Sequence, residues 1–212
     1  MSDNKNSISR SGGQSIAAKF AQKDWVKKLE AASGKPIVPA KPFFGGIVYL
    51  VIDCSGSMDG DKLHQAKRGA SGFAVESQRK GYSLGLIQFS SYAEHISEPQ
   101  KEIARINAAL EKMQTDGSTN MAVALSLATD KFADRSGEKI ICLVTDGMPD
   151  DRNAALAAAN RAKQAGIDIM TIGTDDADRE FLEQLATRKE LAAKVVRERL
   201  EQGIVSMARL LP

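Results

Sequence analysis

Cysteine is scarce in this sequence, with two in 212 residues, and so is histidine, also with two. A disulfide framework is therefore excluded, and Cys54 and Cys142, each within or just after an apolar run, read as reduced, buried thiols. Neither lies in a metal-type cysteine spacing, and His64 and His95 have no ligand spacing either. A zinc or copper centre thus lacks its usual ligands. Long apolar runs are missing as well. None approaches the ~20 residues that span a bilayer, and residues 1–13 are polar where a secretory signal needs an apolar stretch. The expected address is the cytoplasm, without membrane contact. No GxxxxGK pattern followed by Ser or Thr occurs, and Gly34-Lys35 runs straight into Pro36, so nucleotide hydrolysis has no phosphate cradle. No internal repeat is visible.

Charge of one sign is in little excess, with 29 Lys plus Arg against 27 Asp plus Glu. That average conceals an asymmetry. Residues 1–42 hold eight basic residues and three acids, net +5, whereas residues 43–212 hold 21 basic and 24 acidic residues, net −3. A basic extension precedes a mildly acidic domain. With 42% hydrophobic and 26% charged residues, 17 Gly and 6 Pro, the composition is that of a folded globular chain. The length admits one domain of ~100–200 residues and a remainder of about forty. Within the extension, Ile16, Phe20, Val26 and Leu29 form an imperfect apolar stripe that predicts a helix over 15–32. Pro36, Pro39 and Pro42 punctuate a linker over 33–42. Basic residues accompanied only by Phe20 and Trp25 make a weak nucleic-acid footprint, so nucleic acid is not the expected partner.

Beyond residue 42 strands alternate with helices. Residues 47–52 form an uninterrupted apolar run, too short for a helix and typical of a strand buried on both faces. A helix over 61–80 follows, because Leu63, Ala66, Ala70, Phe73, Ala74 and Ser77 recur on one helical face. The next strand is expected at 84–89, and Ser90, Ser91 and Tyr92 then permit a tight reversal into an edge strand at 93–96. Helices are expected at 103–113, 121–132, 152–165 and 179–186, and strands at 140–144, 167–172 and 192–196. A last helix carries Leu200, Ile204, Met207 and Leu211. The alternation gives the fold class: α/β, a doubly wound, mostly parallel six-stranded sheet with one short antiparallel edge strand and helices on both faces. Cys54 and Cys142 fall on neighbouring strands but ~15 Å apart along them, too far for a bridge.

Ligands of such sheets bind beyond the carboxyl ends of the strands, where the strand order reverses. After the first strand the chain reads Asp53, Cys54, Ser55, Gly56, Ser57, Met58. In a locally extended segment the period of two sends Asp53, Ser55 and Ser57 to one side, and Gly56 relaxes the turn into the helix. After the fourth strand comes Thr145, Asp146, Gly147, and a third loop offers Asp116, Gly117, Ser118, Thr119 and Asn120.

Asp53, Ser55, Ser57, Thr119 and Asp146 together resemble the metal-ion-dependent adhesion site of the von Willebrand factor A domain family. The signature is Asp-x-Ser-x-Ser, a separated Thr and a separated Asp, matched here in order and without substitution. The resemblance covers residues 43–212. It implies the family's Rossmann-like fold and a bound Mg²⁺, with Mn²⁺ as a substitute, held directly by the hydroxyls of Ser55, Ser57 and Thr119. Asp53 and Asp146 then act through water, and a partner's carboxylate fills the sixth position. The implied function is a non-catalytic, Mg²⁺-dependent protein interaction module. The family context suggests a bacterial, stand-alone intracellular form working with an ATPase or a signalling or stress-response assembly. The donor chemistry agrees independently, since Mg²⁺ takes hard oxygens and retains exchangeable positions.

Helix capping is the competing reading for Ser and Asp at such turns, and it is preferred for Asp150 and Asp151 and for Asp176 or Asp178. His64, on a helix, and His95, on the edge strand, read as structural or solvated. Met58, Met121 and Met148 each lie within two residues of an expected ligand, and either form an adaptable apolar rim or pack beneath the loops. Asp59, Asp61, Asp116, Asp150, Asp151, Asp175 and Asp176 should gather on the same face. The expected partner is therefore a protein presenting an Asp or Glu in a basic surround. The alternative function is a Mg²⁺-dependent phosphohydrolase with Asp53 as nucleophile. Enzymes of the haloacid dehalogenase type need a second Asp two residues on, where this chain has Ser55.

Overall fold

In the computed structural model, which describes residues 45–212, the uninterrupted apolar runs become the inner strands of one sheet. The helix expected over 15–32 and the linker over 33–42 lie outside the described residues. The elements follow in the order β1 (Ile47–Asp53), a 3₁₀ turn (Gly56–Met58), α1 (Asp61–Arg79), β2 (Ser83–Phe89), β3 (Ala93–Gln100) and α2 (Ile103–Glu111). Then come α3 (Met121–Asp130), β4 (Lys139–Thr145), α4 (Arg152–Gln164), β5 (Asp168–Gly173), α5 (Arg179–Leu185), β6 (Ala192–Lys194) and α6 (Leu200–Arg209). The sheet order is β3-β2-β1-β4-β5-β6, with β3 the antiparallel strand.

The pleat of β1 divides the core into two layers. Val48, Leu50 and Ile52 enter the layer beneath α1, α2 and α6, while Tyr49 and Val51 enter the layer beneath α3, α4 and α5. All five are fully buried, and each aliphatic one contributes about 1.5–3 kcal/mol. This double burial is why the strand reads as a continuous apolar run rather than as an alternation. The helical stripe of α1 packs as its spacing requires, with Leu63, Ala66, Ala70, Phe73, Ala74 and Ser77 all inside. Both cysteines are buried and unpaired, and Cys142 lies opposite Leu50, four residues before Cys54.

Two strands end more than one residue from where they were expected. β3 runs on to Gln100, which makes it the longest strand of the sheet rather than a short one. Its second half, Ser97 to Gln100, pairs with β2 through register shifts. As an edge strand it tolerates Pro99 and polar side chains, so its apolar signal stops at Ile96 while its backbone pairing continues. β6 is shorter than expected and ends at Lys194.

Packing is close where Gly85 of β2 lies opposite Tyr49. A Cβ at Gly85 would come within 2.3 Å of the Tyr49 ring. The ring is fixed on its other sides by edge contacts to Phe132 and His95, at centroid distances of 5.1 and 5.6 Å. The Tyr49 hydroxyl and His95 Nε2 lie 3.3 Å apart, so His95 has a structural role. Gly85→Ala should therefore destabilise the domain by about 1–3 kcal/mol. The effect is read as a lower urea midpoint with an unchanged slope; a wild-type midpoint would mean that Tyr49 can move aside.

Candidate metal centre

β1 and β4 are neighbours from which the chain departs in opposite directions, toward β2 on one side and β5 on the other. The crevice between their carboxyl ends is the switch point of the sheet. Asp53 is the last residue of β1, and Asp146 follows the last residue of β4. The register that sets Ile52 beside Val144 lets the Thr145 hydroxyl donate to Asp53 Oδ2 at 2.6 Å. Asp53 Oδ1 accepts the Ser55 backbone N–H at 2.8 Å. One buried carboxylate thus ties the strand end to the following loop.

From that anchor the hydroxyls converge. Ser55 Oγ and Ser57 Oγ are 3.0 Å apart, and Ser57 donates to Asp146 Oδ1 at 2.7 Å. Asp53, Ser55 and Asp146 are buried, whereas Gly56 and Ser57 face solvent. Thr119 reaches the site through its backbone neighbours. Gly56 N–H donates to the Gly117 carbonyl at 3.1 Å, and Asp116 N–H to the Cys54 carbonyl at 2.8 Å. Gly117 has φ 66, a conformation that suits glycine, and a Cβ there would lie 2.4 Å from Ser91 Oγ. Among the described residues, no hydrogen bond joins the Thr119 hydroxyl to the other four side chains.

Several expected roles change. Asp151 caps α4 through the Ala154 N–H, but Asp150 instead accepts from Ser118 Oγ at 2.6 Å and from Thr119 N–H at 3.1 Å. It fastens the Thr119 loop rather than a helix end. Asp178, not Asp176, caps α5. The methionines do not form a rim: Met58 and Met121 are fully buried in opposite core layers, and only Met148 is exposed. Their apolar bulk is spent under the loops.

Sequence reasoning missed three groups. Thr145 is the anchor of Asp53. Lys62, near the start of α1, pairs its ammonium with Asp146 Oδ2 and lies 3.2 Å from Asp175 Oδ2. Arg197 donates to the same Asp175 oxygen, with Nη2 to Oδ2 at 2.6 Å. A lysine within ten residues of the Asp-x-Ser-x-Ser loop was the available signal for Lys62. Arg197 carried none, because it is brought in by the last crossover.

Burial dominates the electrostatics. It raises the Asp53 pKa from the ordinary 3.8 to about 6, against hydrogen bonds from Thr145 and Ser55 and with added repulsion from Asp146. Burial opposes the charge on Lys62, but its contacts with Asp146 and Asp175 outweigh that and raise its pKa. Arg197, assisted by Lys62, holds the Asp175 carboxyl below its usual range. Burial pushes the Cys54 and Cys142 thiols up to about 12, so both are protonated in the metal-free protein. Between about pH 4 and 6 the metal-free folded state binds more protons at Asp53 than the unfolded chain does, so stability falls as pH rises. Asp53→Asn should therefore stabilise the metal-free protein at pH 7 by about 1–3 kcal/mol. The gain should disappear at pH 4 in parallel urea titrations; a gain independent of pH would show that Asp53 ionises normally.

The donor set fits a hard divalent cation, being three hydroxyls and two carboxylates on three loops. Among the described residues, no three His, Cys, Asp or Glu side chains gather into a group that could hold a metal ion, so a cation here needs the hydroxyls as well. No helix among them is long and apolar enough to cross a membrane.

Known proteins share this frame. An uncharacterized protein of Synechocystis is 29% identical over 133 residues, covering 60% of this chain and 31% of its own length. The chain spans less than half the length of each curated bacterial relative it matches. Among solved structures, the vWF domain of the type V pili tip protein Mfa5 from Porphyromonas gingivalis superposes with a TM-score of 0.71 at 16% identity, covering 79% of this chain and 95% of that one. Proximal thread matrix protein 1 from the mussel byssus, in a structure whose MIDAS motif is occupied by zinc, gives a TM-score of 0.68 at 18% identity, over 78% of this chain and 45% of that one. The von Willebrand factor type A domain family matches residues 48–204, and the chain belongs to that family.

Proposed function

We propose that the domain is a non-catalytic, Mg²⁺-dependent protein interaction module that captures a carboxylate side chain of a protein partner. The observation that carries this reading is the run of contacts at the switch point from the Ser55 hydroxyl to the Ser57 hydroxyl and from Ser57 to Asp146, with Ser57 facing solvent. Ser55, Ser57 and Thr119 would hold the ion, with Asp53 and Asp146 supplying negative charge behind them. A bound Mg²⁺ supplies positive charge and an exchangeable position that suits an incoming Asp or Glu. Asp53 keeps the Ser55 backbone in place, and Asp150 does the same for Thr119. Exposed Asp59, Asp116, Asp150, Asp151 and Asp176 lie in the turns and loops at this end of the sheet, and favour a basic surround on the partner.

The phosphohydrolase reading is disfavoured by the state of Asp53. Its side chain is fully buried, and both carboxylate oxygens already accept hydrogen bonds. A nucleophile needs an accessible oxygen, and the position for an acid two residues on is occupied by Ser55.

Thermal unfolding with and without Mg²⁺ tests the site. A hundredfold excess over Kd should stabilise the wild type by about 2.7 kcal/mol, and Asp146→Ala should abolish the gain. Affinity capture from the native cell tests the function: partners should be lost on adding EDTA and with Asp146→Ala. Partners retained equally in both cases would sink the metal-bridge mechanism, and turnover of a phosphate ester abolished by Asp53→Asn would replace it with an enzyme.

A further inference from the structure

Building on the metal-site reading, we propose that Lys62 is an internal counter-cation of the site, whose ammonium lowers the affinity for the divalent ion and leaves the loaded site more positive toward a partner's carboxylate. Lys62 is the second residue of α1, and the preceding Gly60, at φ 75, makes the turn that brings it back over the crevice. Its side chain is only 13% exposed, and the Asp146 carboxylate it pairs with is 1% exposed. The two oxygens of Asp146 are thereby both engaged, Oδ1 by the Ser57 hydroxyl and Oδ2 by Lys62.

The lysine is itself held from behind. Asp175 Oδ2 is shared: it forms an ion pair with the Lys62 ammonium at 3.2 Å and accepts from Arg197 Nε and Nη2 at 2.9 and 2.6 Å. Asp175 has φ 47, a left-handed conformation that few side chains adopt, and it turns its carboxylate between the two cations. Acid and base alternate from Asp146 through Lys62 and Asp175 to Arg197. An isolated surface pair would have little influence, but this chain of charges ends on a buried carboxylate, where screening is weak.

The consequence follows from charge. Asp53 and Asp146 alone offer −2 to a cation, and Lys62 reduces that to −1. An arriving divalent ion meets a fixed positive charge on one of its own carboxylates, and the same charge persists when an external carboxylate arrives. Lys62 thus weakens cation binding and strengthens the demand for an outside anion.

The test is titration of the full chain with Mn²⁺, with free Mn²⁺ followed by electron paramagnetic resonance. Lys62→Met should bind Mn²⁺ about tenfold more tightly or better, with Lys62→Gln as a second neutral variant should Met disturb folding. Lys62→Arg should stay near the wild type because it keeps the charge. Lys67→Met should also stay near it, since that lysine lies on the same helix but donates to the Glu111 carbonyl. Unchanged or weaker binding by both neutral Lys62 variants would overturn the proposal while leaving the site intact, as would equal tightening by Lys67→Met. Wild-type Mn²⁺ binding that survives Asp53→Asn and Asp146→Ala unaltered would overturn the metal-site reading and the proposal with it.

Discussion

The Thr145 hydroxyl reaches Asp53 across the seam between β1 and β4, and the rest of the site hangs from that contact. It exists because two apolar runs separated by nearly ninety residues of sequence pair in parallel and in a register that ends both strands at the same level. Asp53 then fixes the backbone of Ser55, the loop turns through Gly56, and Ser57 meets the carboxylate that follows β4. A slip of one residue would turn every side chain of β1 to the opposite face and undo both core layers. The same burial that secures the register therefore secures the site.

Burying acids at the end of a sheet creates a charge problem, and this fold answers it in two ways. Asp53 is surrounded by hydrogen-bond donors, yet its loss of hydration still favours the proton. Asp146 is neutralised by Lys62, which in turn depends on Asp175 and Arg197. The first carboxylate gains from any cation brought to the site; the second already has one. That difference separates two aspartates that a motif treats alike.

Much of this was legible along the chain. The runs at 47–52 and 140–144 announced buried strands because both of their faces meet helices, whereas Ser57, expected beside Asp53 and Ser55 through an extended period of two, lies in the 3₁₀ turn Gly56–Met58 and meets Ser55 and Asp146 by way of that turn. The cap at Asp151 followed from its place before α4. What escaped was of another kind. Asp150, its neighbour, fastens a loop some thirty residues upstream in sequence. Met58 and Met121 lie beside the expected ligands yet point into opposite core layers. β3 outran its apolar signal because an edge strand is held by backbone pairing with β2, which side-chain patterning does not record.

Sequence by itself determined the alternation of strands and helices, the doubly wound class, the family's five-residue pattern and the loops that carry it. These depend on local periods and on residue types at short spacing, and both are written in the order of the chain. Tertiary structure alone decided that Thr145 holds Asp53, that Asp150 holds Thr119, and that Lys62 stands on Asp146 with Asp175 and Arg197 behind it. Each of these is a contact between strand ends, loops or helix starts brought together by sheet order and register. A charge or hydroxyl finds its partner by distance in space, and that distance is set only once the strands have paired.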